Sequence, residues 1–189
     1  MTSWTSPMLR GEEVLLRPLG PGDTDDLWAD VRDPEVRRLT GTHREFTRAE
    51  IAAYSASRAD QTEQISLAIL DPGTGGWRGE LVLLDRDEPN RSAALRIALT
   101  AEAQGRGLGT AALRLVLAHA FGALALHRVS LEVFAFNARA IRAYEKVGFR
   151  YEGRRRDALW WDGTPHDALL MALLAPEWVG HGEIGSPRN

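Results

Sequence analysis

The segment Gln104-Gly105-Arg106-Gly107-Leu108-Gly109-Thr110 stands between a run of strand character, Ala93 to Thr100, and a helical stripe that starts at Leu108. Glycines at such a place let the backbone come close to a ligand. The free N–H groups of a helix N-terminus, at the positive end of its dipole, suit a phosphate or pyrophosphate. Two common phosphate motifs do not fit. No Gly-Lys-Ser/Thr follows, as a P-loop needs, and Thr110 occupies the place of the third glycine of a dinucleotide fingerprint. Thr100 to Gln104 also separate these glycines from the strand, where a dinucleotide fold wants its first glycine directly after it. A turn that merely joins strand to helix is the other reading of the cluster.

Two side chains further on are candidates for proton chemistry. Asn137, Ala140, Ile141 and Tyr144 fall at i, i+3, i+4 and i+7, so they share one helix face. The Tyr144 hydroxyl then either meets a ligand or finds a partner locally while its ring packs in the core. Glu132 lies mid-strand, with Ser130 and Phe134 on its side and Val129, Leu131 and Val133 on the other. It either points to solvent from an uncovered sheet face or serves as a general base, in which case burial would raise its pKa usefully. Glu102 and Glu80 are alternative bases.

Gln104-x-x-Gly107-x-Gly109 is similar to the pyrophosphate-binding motif of the GNAT acetyltransferases, in the same strand-to-helix setting. The stretch from Asn137 through Ala140 and Tyr144 to Gly148-Phe149 resembles that superfamily's Asn-x-x-Ala-x-x-x-Tyr-x-x-x-Gly-Phe segment. The pattern is most like that of the ribosomal-protein, or protein N-terminal, acetyltransferases, and antibiotic- and polyamine-acetylating relatives share the motifs.

The resemblance implies a single domain over residues 1–179 that uses acetyl-CoA as co-substrate and acetylates a primary amine by direct attack on the thioester. It further implies that Ile97, Ala98 and Leu99 offer backbone groups to the pantetheine arm, with a backbone N–H near Leu99 polarising the thioester oxygen. Gln104, Gly105, Arg106, Gly107, Leu108, Gly109 and Thr110 would hold the pyrophosphate, Asn137 would contact the cofactor, and Tyr144 would serve the leaving sulfur. Glu132 matches the position of a general base in the ribosomal-protein type. An acceptor amine must lose a proton before it attacks, which is why a base is needed. A non-catalytic acyl-CoA-binding sensor or subunit, or a nucleotide-binding module, stands as the alternative.

The elements that must carry these residues follow from periodicity. Val14 to Leu19 reads as a first strand closed by Gly20-Pro21-Gly22, and Asp23 or Thr24 caps a helix carrying Leu27, Trp28 and Val31 that stops near Asp33-Pro34. Thr47 and Glu50 have capping-box spacing for a second helix. Ile65 to Leu70 and Glu80 to Leu84 form a hairpin around Asp71 to Gly76, and Ala93 to Thr100 adds a third strand. Leu113, Val116, Leu117, Ala120, Phe121 and Leu124 recur at helical spacing before the strand around Val129 to Val133. A helix from Ala138 to Lys146, capped by Asn137 and ended at Gly148, precedes a last hairpin, Glu152 to Trp161 and His166 to Leu174, turned at Asp162-Gly163. The fold class expected is α/β in the α+β sense: a central mixed, mostly antiparallel sheet flanked by helices.

The acceptor is expected between the region from Asp23 to Arg58 and the last hairpin. The Asp23, Asp25, Asp26 and Asp30 cluster reads either as an attractor for an amine or as a solvated helix face. Trp160 and Trp161 either line the acceptor site or pack at its rim.

Composition excludes other classes. The 189 residues suffice for one core, and the net charge of -3, from 23 basic and 26 acidic residues without long blocks, argues against a nucleic-acid partner. Absence of cysteine removes thiolate metal sites, disulfides and a cysteine nucleophile, and the five histidines show no metal-ligand spacing, so no metal is expected. No signal-like or membrane-spanning stretch stands out, since Leu115 to Leu126 is too short, and a cytoplasmic monomer or homodimer is expected. Gly180 to Asn189 reads as a polar, disordered tail.

Overall fold

The computed structural model describes residues 4–58 and 61–178, so the expected tail from Gly180 lies outside the described residues. Strand β1 (Leu9–Arg10) turns through Gly11 into β2 (Leu15–Pro18), an antiparallel pair whose first member is too short to show in periodicity. Helix α1 (Thr24–Asp30) follows, with Asp23 at its N-cap. The Asp23 carboxylate does not cap, however. It turns back to accept from the Gly20 N–H at 2.9 Å and from Arg17 at 2.6 Å, and the residue is only 2% exposed.

Helix α2 (Pro34–Thr40) is an element that the periodicity did not announce. Pro34 reads as a stop but acts as a start, because its missing N–H costs nothing at the first helical position. Asp33 caps it by accepting from Val36 N–H at 2.9 Å, and Gly41, at φ 65°, closes it. Helix α3 (Arg48–Arg58) has the expected reciprocal cap: Thr47 N–H donates to Glu50 at 2.7 Å and Glu50 N–H donates to Thr47 Oγ1 at 3.2 Å.

Strands β3 (Ile65–Leu70), β4 (Trp77–Asp87) and β5 (Ser92–Leu99) form an antiparallel meander. Helix α4 (Leu108–Phe121) then carries the chain over the sheet to β6 (Arg128–Phe134), which lies parallel to β5. After α5 (Ala138–Lys146), β7 (Arg150–Trp161) and β8 (Thr164–Leu174) close the sheet. Asp162 at φ 49° and Gly163 at φ 73° give the left-handed pair that a tight hairpin turn favours. Among the described residues the eight strands run in the order β1-β2-β3-β4-β5-β6-β8-β7, antiparallel everywhere except between β5 and β6.

Alternation sorts the sheet into two faces. On one, Leu67, Leu81, Leu95, Val129 and Met171 pack with Leu113, Val116 and Leu117 of α4 and Tyr144 of α5. On the other, Ala68 and Leu70 pack with Leu19, Leu27 of α1 and Ile51 of α3. Helices α1 and α3 cover only the β2–β4 half of that second face, which leaves the face of β5, β6 and β8 open near its centre.

The β5–β6 pairing fixes the site. Register holds for only three residue pairs, Ser92 with Arg128, Ala93 with Val129 and Ala94 with Ser130, and then stops. The strands continue to Leu99 and Phe134, so they diverge and a wedge opens in the middle of the sheet. Backbone groups along the diverging edges lack the ladder partner that a continuous sheet would supply.

Candidate active site

A groove of about 910 Å³ occupies this wedge. Ile97, Ala98 and Leu99 of β5 and Leu131, Glu132 and Val133 of β6 line its walls. At its upper end β5 runs into a single helical turn, Ala101–Ala103, capped by Thr100, whose hydroxyl accepts from Ala103 N–H at 3.2 Å. Gln104 ties the turn to the strand by donating through Nε2 to the Leu99 carbonyl at 3.1 Å, and its other side-chain atom accepts from Arg139 of α5.

The backbone then takes left-handed conformations at Gly105 (φ 75°) and Gly107 (φ 83°), a region disfavoured for side chains. A Cβ at either position would meet no atom within 4 Å, so open space stands in front of both. Gly107 is the N-cap of α4 and offers no side chain to it, and the first helical N–H to find a carbonyl is that of Ala111, 3.0 Å from Gly107 O. The N–H groups of Leu108, Gly109 and Thr110 are thus free of helical partners at the positive end of a helix of 14 residues. Gly109 lies against Leu99, whose Cδ1 would be 3.2 Å from an added Cβ, which brings the helix start close to the strand end. Gly105, Gly107, Gly109 and Thr110 line the groove, whereas Arg106 is exposed beside it and the Leu108 side chain packs against the core. A loop with free N–H groups and glycine at its positions of closest approach fits a pyrophosphate.

Asn137 opens α5 and lines the groove. Its Oδ1 accepts from Ala140 N–H at 3.1 Å, so the side chain caps the helix whether or not it also meets a ligand. Tyr144 lies one face-length further along, 7% exposed, in the groove wall. Its ring packs edge-on against Phe149, with 5.8 Å between centroids. Its hydroxyl hydrogen-bonds to nothing among the described residues. The ring is core, as one reading of the sequence has it, but the hydroxyl lacks the local partner which that reading supplied. Burial pushes the phenol well above its ordinary pKa, so it remains a donor at neutral pH.

Glu132 matches the solvent-facing alternative of its two readings in placement. It lines the groove from β6 but is not buried: 36% of its side chain is exposed, and it forms an ion pair with Arg155 of β7 at 2.5 Å. The carboxylate lies toward solvent and lacks the burial that the base reading invoked. Of the alternative bases, Glu102 is exposed on the single turn and does not line the groove. Glu80 of β4 sits beneath α3, where burial raises its pKa and the Tyr54 hydroxyl donates to it at 3.4 Å. It does not line the groove either.

The sequence matches the acetyltransferase (GNAT) domain family over residues 13–150. The chain belongs to the GNAT acetyltransferases. YdaF of Bacillus subtilis, named as a ribosomal N-acetyltransferase, is 35% identical over 106 residues, which is 56% of this chain and 58% of that relative's length. The spermidine N(1)-acetyltransferase of Escherichia coli K12 is 29% identical over 126 residues, 67% of this chain and 66% of the relative. The spermidine N-acetyltransferase of Vibrio cholerae, solved with CoA and spermine, superposes with a TM-score of 0.81 at 22% identity, over 88% of this chain and 98% of that one. That likeness shows the shared fold. Family membership supports acetyl-CoA-dependent N-acetylation of an amine, and the wedge between β5 and β6 with its glycine turn is the feature of this GNAT chain that fits such a donor.

The far side of the wedge in this GNAT domain is roofed by α2, whose Val36, Leu39 and Thr40 line the groove. Their part was not legible in the sequence because α2 itself was not. In the acidic cluster Asp23 pairs with Arg17, Asp25 with Arg48, and Asp30 accepts from Trp77 Nε1 at 2.7 Å, and none of these three nor Asp26 lines the groove. Burial pushes the Asp30 carboxyl up to about 6. Trp161 stacks on His43, 5.0 Å between ring centroids, and Trp160 is 63% exposed; neither lines the groove. Among the described residues no three His, Cys, Asp or Glu side chains come together as a metal site, and no helix is long and apolar enough to cross a membrane.

Proposed function

We propose that this chain, as a single domain over residues 1–179, transfers the acetyl group of acetyl-CoA to a primary amine in the cytoplasm, as a monomer or homodimer. The observation that carries the reading is the loss of β5–β6 pairing beyond Ala94 and Ser130, with the free N–H groups of α4 at the mouth of the opening. Gln104 to Thr110 would hold the pyrophosphate, and the diverging edge of Ile97, Ala98 and Leu99 would pair with the amide-bearing pantetheine arm. A backbone N–H of that edge would polarise the thioester oxygen.

In the transfer step, Glu132 accepts the proton of the acceptor ammonium directly or through a water. The freed amine nitrogen bonds to the thioester carbonyl carbon, the carbon–sulfur bond breaks, and the sulfur takes a hydrogen bond or proton from Tyr144. A free phenol near 10 giving its proton to a thiolate near 8.5 is already uphill by roughly 2 kcal/mol. Burial of Tyr144 adds to that cost, so hydrogen-bond donation precedes full transfer.

The names of two relatives, a ribosomal N-acetyltransferase for YdaF and a spermidine N(1)-acetyltransferase for the Escherichia coli enzyme, mark two classes. The groove favours an acceptor with one amine over a polyamine. Of its carboxylates, Glu132 and Glu152 are already paired, with Arg155 and Arg128, which leaves Asp85 against Arg96, Arg142 and Lys146, which also line it. A polycation would meet more positive than unpaired negative charge there. The test is mass-spectrometric detection of acetyl transfer from acetyl-CoA to peptides with free N-termini and to spermidine. Peptide or small monoamine acetylation is expected; exclusive acetylation of spermidine would reverse the acceptor assignment, and none on any amine would leave only the sensor reading.

A further inference from the structure

On the acceptor side of the wedge Arg96 makes no hydrogen bond or ion pair among the described residues. Alternation places Arg96 of β5 on the same sheet face as Ala94 and Ser130, the last paired residues, so it is the first β5 side chain of that face beyond the point of divergence. Glu132 holds the equivalent place on β6. Tyr144 and the helices α4 and α5 lie on the opposite face, so Arg96 and Glu132 flank the side from which an acceptor must come.

Arg96 is exposed, lines the groove, and among the described residues makes no hydrogen bond or ion pair. The other arginines at its level are committed: Arg128 to Glu152 at 2.5 Å, and Arg155 to Glu132 at 2.5 Å. The remaining unpaired cations of the groove, Arg142 and Lys146, belong to α5 on the Tyr144 side, where donor phosphates would approach. Glu80, diagonal to Arg96 across β4, forms no ion pair with it; the Arg96 charge acts on the buried Glu80 carboxyl from a distance and leaves the guanidinium's N–H donors unused. A guanidinium left open at the entry to a reaction centre selects a planar anion, because its fork of N–H donors matches a carboxylate in two places at once.

We infer that Arg96 determines acceptor specificity by binding a carboxylate carried close to the reacting amine, so that the acceptors are amines of the amino-acid type. Glu132 and Arg96 would then engage the two ends of one zwitterion, the ammonium and the carboxylate. This rests on the acetyltransferase reading above. The carboxylate has two sources, the α-carboxyl of a free amino acid or the side chain of an acidic N-terminal residue in a peptide.

The test compares kcat/KM for matched acceptors: free glutamate and leucine against their α-carboxamides, and amidated tripeptides beginning with Glu against those beginning with Gln. Wild-type protein is expected to prefer one carboxylate-bearing set by about tenfold or more, and the set preferred identifies the source. Arg96→Gln should collapse that preference towards unity by raising acceptor KM, with the calorimetric Kd for acetyl-CoA unchanged, and Arg96→Lys should restore part of it. A wild-type ratio near one in both sets overturns the inference. So does a ratio that survives Arg96→Gln, or a weakened acetyl-CoA Kd in that variant, which would give Arg96 to the donor. Absence of acetyl-CoA binding by the wild-type protein would instead overturn the underlying reading, and calorimetry separates that outcome from the others.

Discussion

Replacing Tyr144 with phenylalanine isolates the one hydroxyl that the account assigns to chemistry. The ring is 7% exposed and packs on Phe149, and a phenylalanine keeps both the volume and the edge-on contact. The hydroxyl has no partner among the described residues, so its removal breaks no internal hydrogen bond and the thermal midpoint should move by little. What is lost is a donor to a sulfur that becomes negative as the carbon–sulfur bond breaks. A hydrogen bond to a charged group contributes about 1.5–3 kcal/mol, and if it forms only in the transition state the loss falls on kcat. That corresponds to a reduction of about tenfold to 150-fold. Because burial raises the phenol's pKa, the wild-type rate should show no loss from tyrosine ionisation up to about pH 9. The assay is steady-state release of free thiol at saturating acetyl-CoA, with the acetyl-CoA Kd measured by calorimetry on both proteins. An unchanged kcat would refute the role; if it came with a tenfold weaker Kd and a correspondingly lower kcat/KM, the hydroxyl would serve binding alone.

Glu132→Gln should lower kcat/KM by about 100-fold or more if the carboxylate takes the ammonium proton. It should leave the melting temperature almost unchanged, because an exposed pair such as Glu132–Arg155 contributes less than about 1 kcal/mol; a loss below threefold would move the base elsewhere. Gly79→Ala should destabilise by about 3 kcal/mol, since Gly79 has φ 144° and an added Cβ would stand 2.1 Å from the Ala98 carbonyl oxygen, a backbone atom that cannot step aside; chemical denaturation checks this, and a stable variant would show that β4 and β5 approach less closely. Asp30 has a folded-state pKa near 6, above its unfolded value, so the native state holds the proton more tightly and stability falls as pH rises from about 4 through 6. Asp30→Asn keeps an acceptor for Trp77 and should therefore gain on the order of 2 kcal/mol at pH 7.5 and nothing at pH 3.5; an equal gain at both values would refute the burial argument.

Much of the fold was legible because its signals are local. The Thr47–Glu50 cap, the α5 stripe from Asn137 to Tyr144 and the Asp162-Gly163 turn each depend on a few neighbouring residues, and each appears where spacing placed it. What was not legible depends on long-range pairing. Proline at Pro34 is ambiguous between stop and start until Asp33 is seen to cap Val36, so α2 and its groove residues were missed. Alternation put Glu132 on the correct face but could not say that the face is open or that Arg155, 23 residues away, stands beside it. Arg96 carried the same alternation signal, a lone charge in an apolar strand, yet its meaning depends on where β5 and β6 part. Strand register across a crossover is invisible to period-two patterning.

The central claim is that the opening between β5 and β6 is an acetyl-CoA site, and calorimetric titration of acetyl-CoA against the wild-type and Gly107→Val proteins tests it most directly. A valine at the left-handed N-cap of α4 would project into the open space before the free N–H groups. The account predicts one acetyl-CoA per chain, with ATP and NAD binding at least tenfold more weakly, and loss of that binding in a Gly107→Val protein that still folds. No heat with acetyl-CoA at millimolar concentration, or equal binding by the variant, would contradict it.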